Sequence, residues 1–465
     1  MDLLSLCENQ WVRPTEERVA WRDDRGIRLP RPFYDRLHSW DDLTAEGREG
    51  LNLFDWKFNR GVARQFVGVI QVGRYTIEIL PKTAAVRDDA PLDKSRLVRE
   101  RGNLVEMLRT SGLVTLRERG IAPQALRDVP LFEALLFLFA SALLAELQQG
   151  SPRSYIRREE NLTRWKGKLN AAKQTTRNLL HPERFYVNYS EFSPETPLTR
   201  ILRAGVLVAK RYAAHPKTRR VLEDCVPWLG GLNNPVRSPD DVGVTFTRQT
   251  DRFKPVHDFS QQLLRQQVNA PVSGGAHIFT LLFDMNQVFE GYVTQLYREI
   301  APQHGVHVIV QGSGQSEWLL YPRGEDKKGR GHHYLKPDIL IRDASKKTPP
   351  VTVIDTKWKM VPAGKEATSD LYQLYAYAGQ FGESTNILLY PCHVRDGDTH
   401  HLLHRLGFVH PHTLHDGPSK QSICSARLNV ARDLTDRTVR DTLRKELCDL
   451  VFEHDLQPEN ESVIP

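Results

Sequence analysis

The chain has 465 residues, of which 40% are hydrophobic and 26% charged, with a formal charge of +7. That length calls for two or three domains rather than one core, and the balance of apolar and charged residues excludes a disordered chain. The positive excess favours a polyanionic partner without identifying it.

The five cysteines, Cys7, Cys225, Cys392, Cys424 and Cys448, are scattered with no C-x-x-C pair. This argues against a disulfide framework or a zinc ribbon and for reduced thiols in a cytoplasmic protein. No basic-then-apolar leader opens the sequence, so secretion is not expected.

Residues 1 to about 50 are rich in Trp, Arg and Pro and show little periodicity. From Phe66, FVGVIQVGRYTIEILPK reads as two strands around a Gly73-Arg74 turn, the second ended by Pro81, which cannot donate to a ladder. A helix is expected over Leu97 to Ser111, stopped by Gly112. Residues 131–149 form an expected helix that is apolar nearly all round. Its longest apolar run, Leu135 to Ala145, is about half the ~20 residues of a bilayer span and is flanked by Glu133 and Glu146, so a buried core helix is expected and no membrane.

Between this helix and another over Thr199 to Ala214 lies a basic stretch, where nine Lys/Arg face three Glu from Arg153 to Arg184. Its residues Arg157, Arg158, Lys166 and Lys168 read either as a solvated helix face or as a surface that follows DNA phosphates. Gly230 to Gly243 and Pro271 to Gly275 have the composition of linkers.

Beyond Gly275 the pattern becomes α/β. Met285, Val288, Phe289, Tyr292, Val293, Leu296, Tyr297 and Ile300 form a helical stripe over Asp284 to Ile300. Strands are expected at Val306 to Gln311, Glu317 to Tyr321, Pro337 to Arg342, Val351 to Asp355 and Asn386 to Tyr390, with a helix over Ser369 to Gly379. A charged helix and tail close the chain from Asp436.

The chemistry is carried by LKPDILIRD and VTVIDTKWK. Asp338 begins one strand and Asp355 ends the next, and a hairpin brings these ends together. Asp355 and Lys357, two apart on an extended backbone, point to one side. Two adjacent carboxylates repel, and a hard divalent cation such as Mg2+ (or Mn2+) relieves them. Such an ion polarises a phosphodiester and acidifies water, while a neighbouring lysine orients that water or neutralises the phosphate. Glu290, beside the apolar stripe of its helix, can join Asp338 and Asp355 at the metal. Gln373 and Tyr377, four apart on one helix face, can touch a phosphate or position the lysine. Lys327 and Lys328, in a basic turn before Asp338, can flank a duplex. The HHLLH cluster at His400 to His404 reads as solvated histidines rather than a metal site.

DMNQVFEGYV, KPDILI, VIDTKWK and LYQLYAYA, in this order and spacing, resemble the McrC family, the nuclease subunit of McrBC-type modification-dependent restriction systems. The resemblance extends to Gly68–Lys82 and to RWKGKL and YSEFSPETPLTRIL, and the first fifty or so residues fall outside it. It implies a PD-(D/E)xK nuclease behind a domain that docks on a hexameric AAA+ GTPase of the McrB type, with cleavage of modified DNA. The metal and catalytic positions it carries over are Asp338, Asp355 and Lys357, joined by Glu290 and Gln373. No G-x-x-x-x-G-K-[ST] loop occurs, so nucleotide hydrolysis is expected of the partner.

The expected organisation is a β-rich docking domain (1–125), a mainly helical, basic middle region (126–275), a restriction-endonuclease-like domain with a mixed sheet flanked by helices (276–435), and a charged C-terminal helix and tail (436–465). The alternatives are a non-catalytic DNA-binding scaffold, or a nuclease that works alone or with another motor on unmodified DNA.

Overall fold

The computed structural model describes residues 2–23, 25–47, 52–84, 94–113, 129–230, 236, 243–268, 278–310, 317–320, 332–343, 352–362, 365–381, 385–392, 403–404 and 422–452. Two compact units emerge: Met1–Thr115, Ala122–Leu131 and Leu282–Pro465 make one, and Leu116–Ile121 with Phe132–Leu281 the other. The first unit thus unites the N-terminal and C-terminal thirds that the sequence reading treats as separate domains. The physical reason is a set of contacts between residues hundreds of positions apart. Asn103, for example, donates to the carbonyl of Arg432 and accepts from the backbone of Leu434, and composition carries no trace of such pairs.

The first segment begins with β1 (Asp2–Cys7), β2 (Trp11–Thr15), β3 (Trp21–Asp23), β4 (Gly26–Pro30) and α1 (Arg31–Gly47), where little periodicity was evident. It continues with β5 (Phe54–Lys57), β6 (Arg60–Ala63), β7 (Phe66–Val72), β8 (Tyr75–Leu80) and α2 (Lys94–Thr110). The β7–β8 hairpin turns at Gly73, at φ +60°, as its sequence requires, and β1 adds in parallel beside β8. A five-stranded sheet runs in the order β3-β4-β2-β6-β5. Alternation gives it two different faces. Val12, Ile27, Leu29 and Phe54 are buried on the side that α1 covers with Leu37 and Tyr34, whose ring meets that of Trp56.

The second unit holds α3 (Leu131–Gln148) from Phe132 onward, β9 (Ser154–Leu162), β10 (Lys168–Leu169), α4 (Ala171–Arg177), β11 (Phe185–Ser193), α5 (Pro197–Tyr212), α6 (Pro216–Cys225) and α7 (Lys254–Val268). By length and composition alone α3 could cross a membrane, but 61% of it is buried, with Phe139 against Phe259 of α7 and Phe132 against Tyr212 of α5. The basic stretch is a three-stranded sheet, β10-β11-β9, with the short α4 beside it. A helix face was one expectation there, and the strand prevails because β11, some thirty residues on, pairs with all nine residues of β9. The linker candidates fall almost wholly outside the described residues.

β12 (Ile278–Asp284) leads into the last segment: α8 (Met285–Ile300), β13 (Val306–Val310), β14 (Glu317–Leu320), β15 (His332–Leu335), β16 (Ile339–Asp343), β17 (Thr352–Thr356), α9 (Thr368–Phe381), β18 (Thr385–Cys392), β19 (Leu403–His404), β20 (Ser422–Asn429) and α10 (Arg437–Phe452). Six strands form a mixed sheet in the order β13-β16-β17-β18-β20-β19. It is antiparallel from β13 through β17 and parallel from β17 through β20. Leu374, Tyr377 and Phe381 of α9 pack with Val353, Leu388 and Tyr390 of the sheet. The Asp284 carboxylate caps α8, accepting from the backbone of Asn286 at 2.9 Å, and the apolar stripe of α8 is buried throughout. Gly291 lets α8 approach α2, since a Cβ there would stand 2.8 Å from Cβ of Ser111.

Candidate functional site

The site grows from the hairpin of β16 and β17, in which Ile339 faces Ile354 and Leu340 faces Val353. One step further along this register lie Asp338 and Asp355, 9% and 1% exposed. The Asp338 Oδ2 accepts from both the backbone N and the Oγ1 of Thr356, each at 2.8 Å, which fixes its carboxylate against the end of β17. Just past β17, Lys357 keeps to the ladder by donating its backbone N to the Leu389 carbonyl of β18 at 2.9 Å.

Its side chain turns to Asp355, with Nζ 2.7 Å from Oδ2, and donates to Oε1 of Gln373 at 3.0 Å. Gln373 Nε2 in turn donates to Oη of Tyr377 at 2.7 Å and to Oδ1 of Asp355 at 3.3 Å. Tyr377 donates to the Lys336 carbonyl at 3.1 Å, beside the start of β16. Gln373 therefore closes a ring with Lys357 and Asp355, and Tyr377 ties that ring to the start of β16. Tyr377 is buried, and its hydroxyl is spent on this ring, so it positions rather than contacts a duplex.

Half-buried Glu290 on α8 completes the group. Burial, and then the charges of Asp338 and Asp355, push its carboxyl up to about 7. Asp355 is raised to about 6 by burial and then by Asp338, with Lys357 opposing. Three carboxylates thus sense one another in a poorly solvated place.

Among the described residues no three His, Cys, Asp or Glu side chains converge into a finished metal cage. The donor set still suits a hard cation. It is all oxygen, two of its members are buried aspartates on adjoining strands, and Mg2+ characteristically takes one or two carboxylates and keeps several waters. Asp338, Asp355 and Glu290 would hold it.

Of the remaining sequence candidates, Lys327 and Lys328 lie outside the described residues, as does the His400–His404 cluster apart from the two residues of β19. Arg157, Arg158 and Lys168 belong to the sheet of the second unit, and Lys166 to the turn between β9 and β10. There Arg158 meets Glu191 at 2.6 Å and Glu195 at 3.5 Å, and Lys166 meets Glu191 at 3.5 Å.

Sequence reasoning missed the support behind Lys357. The neighbouring Trp358 is buried, and its Nε1 donates to both carboxylate oxygens of Glu8, at 3.0 and 2.9 Å. Glu8 also accepts from the backbone of Lys82 at 2.9 Å, while Lys82 Nζ donates to the Trp358 carbonyl at 2.6 Å. The Trp358 ring packs 5.4 Å from that of Phe289, next to Glu290. The only signal was an acid directly after the apolar run of β1, which does not reveal its partner 350 residues away.

Residues 62–391 match the family described as McrBC 5-methylcytosine restriction system component. The chain belongs to this family. Its fold resembles a chain of the McrB AAA+ hexamer assembly with bound McrC from Thermococcus gammatolerans, with 19% identity and a TM-score of 0.64 over 97% of this chain and 100% of that one. A second structure of the McrBC complex from that organism aligns at 20% identity and a TM-score of 0.45, over 64% of this chain and 87% of the other. No curated protein matches the sequence.

Proposed function

We propose that this chain is the McrC-type nuclease subunit of a McrBC restriction system, a PD-(D/E)xK enzyme that hydrolyses DNA phosphodiesters with Mg2+ or Mn2+. The observation that carries this reading is the pair of buried aspartates on adjoining strand ends with the Lys357 ammonium 2.7 Å from one of them. When bound, the cation would polarise the scissile phosphate and lower the pKa of a water. Asp338 and Asp355 would hold the cation, with Glu290 completing their set. Lys357, fixed by Gln373, places a positive charge where the attacking water and the phosphate oxygens must meet. Tyr377 and Gln373 keep that ammonium from swinging away, which matters because a long lysine side chain is otherwise free.

A restriction subunit of this kind works in the cytoplasm with a motor. The solved relative is an assembly of McrB AAA+ hexamers with bound McrC, and this chain lacks a phosphate-cradling loop of its own. An AAA+ GTPase of the McrB type, hexameric, is therefore the expected partner, and DNA carrying 5-methylcytosine the expected substrate. The test is cleavage of methylated and unmethylated DNA in Mg2+ by the chain with and without that GTPase. Cutting of methylated DNA that requires both proteins is expected. No cutting under any condition, with the complex assembled, would leave a scaffold and refute the nuclease.

A further inference from the structure

The uncovered face of the five-stranded sheet in the first unit carries an unusual group. Register places Trp11, Arg13 and Arg28 together opposite the α1 side, with Trp21 beside Arg28 and Val62 beside Trp11. Arg60 lies two residues before Val62, on the same side. Trp11 is paired beside Gly26, where a Cβ would stand 2.6 Å from Cδ1 of the Trp11 ring, so the ring fits against the neighbouring strand only because that residue is glycine. Three guanidinium groups gather around that ring: Arg13 at 3.7 Å from its centroid, Arg60 at 5.4 Å and Arg25 at 5.8 Å. At the tip of the β5–β6 turn, Phe58 is 94% exposed.

What separates this cluster from ordinary surface charge is pairing. Arg28 and Lys57 on the same sheet have carboxylates, Asp23 at 3.2 Å and Asp55 at 3.3 Å. Among the described residues Arg13, Arg25 and Arg60 have none. A guanidinium stacked on an aromatic ring keeps its donor edge turned outward and loses little side-chain freedom when that edge is used. Three guanidinium groups held within about 6 Å of one ring centroid form a repulsive array that a line of phosphates would relieve.

We propose that this face, centred on Trp11 with Arg13, Arg25 and Arg60, binds the phosphate backbone of DNA, with Phe58 at its margin. The inference rests on the nuclease reading only for its choice of polyanion. The residues stand in a part of the chain that neither the sequence resemblance nor the family match at 62–391 reaches; of this sheet the match touches only Val62 and Ala63 of β6.

The test uses the full chain carrying Asp355→Asn, so that DNA is not consumed, and measures duplex binding by fluorescence anisotropy across a salt series. Replacing Arg13, Arg25 and Arg60 by Gln together is expected to weaken binding to all sequences alike. It should also flatten the slope of log K against log salt by about 2.7, at 0.9 for each lost phosphate contact. The triple Lys variant, which keeps the charge, is expected to restore most of the slope. An unchanged slope in the Gln variant overturns the proposal. Equal loss in the Lys variant overturns it as well, by making the arginines packing groups. Loss of binding to the AAA+ partner with DNA affinity intact would assign the face to protein docking and overturn it too. Cleavage by the wild-type chain with its partner is scored separately, so failure of the nuclease reading leaves this result interpretable.

Discussion

The carboxylate edge of the six-stranded sheet and the basic sheet β10-β11-β9 are both dense in charge, but they are built in opposite ways. On the basic sheet opposite charges meet: Glu159 takes Lys173 at 2.7 Å, and Glu191 is shared by Arg158 and Lys166. On the carboxylate edge Asp338, Asp355 and Glu290 are gathered with one lysine among three acids, and Glu290 and Asp355 pay for it in raised proton affinity. A satisfied charge cluster has little use for a ligand. An unsatisfied one stores repulsion that a ligand removes, and for that reason sequence counts of charge are a poor guide while local balance is a good one.

The largest effect expected from this contrast is at Asp355. Asp355→Asn removes a ligand charge and keeps the size while turning one of two acceptors into a donor, and it should lower cleavage in Mg2+ by about a thousandfold or more. Because the native carboxylate is buried beside Asp338, the same change should leave the melting temperature equal or higher. A variant that cuts at the wild-type rate, or that melts far below it, would break the contrast between a functional and a satisfied cluster. Gln373→Ala comes next, through the freed lysine. A loss of about tenfold to a hundredfold in cleavage rate is expected, with DNA affinity unchanged. A defect in affinity alone would make Gln373 a phosphate contact instead.

These site residues were legible because their signals are local. The stripe of α8 and the alternation in β16 and β17 lie within single short windows, and the D-x-K spacing defines one side of one strand. Asp338 and Asp355 needed only the hairpin between them. The N-terminal strands were not legible, since β1 finds its partner β8 more than seventy residues on, and its register depends on that partner. β9 was ambiguous for a different reason: its run Arg157-Arg158-Glu159-Glu160 has charges on both faces, so no period of two or 3.6 stands out. The dependence of the Lys357 segment on Glu8 was invisible for the same reason as β1.

Glu8 offers a measurement of that hidden tie. Burial is the main cause that raises its carboxyl from 4.5 to about 7, with Lys82 and the donors of Lys82 and Trp358 opposing. A carboxyl raised on folding stabilises the fold fully below its unfolded value near 4.5, and that contribution is lost as pH rises through about 7. Unfolding free energies from denaturant titrations should therefore fall between pH 5 and pH 8 by about 3 kcal/mol more in the wild type than in Glu8→Gln, an upper figure from the size of the shift. Parallel pH profiles for the two proteins would show that Glu8 is charged and comfortable at neutrality, and that the tie to Trp358 is an ordinary one.

The smallest effect is expected on the basic sheet, and it tests the comparison most directly. Arg158 and Lys166 already spend their charge on Glu160, Glu191 and Glu195, with Lys166 also 3.9 Å from the centroid of the Tyr189 ring. Replacing both by Gln removes two cations that have few counterions to release, so duplex affinity and its salt slope should stay as they are. Stability should change little, as for exposed pairs in general. Arg157 and Lys168 are exposed and have no carboxylate partner among the described residues. Their double Gln variant should flatten the slope by up to about 1.8, at 0.9 for each contact, if this sheet also lies along the DNA. A larger loss from the paired residues than from the free ones would mean that phosphates outcompete the glutamates, and local balance would then fail as a guide to where this protein meets DNA.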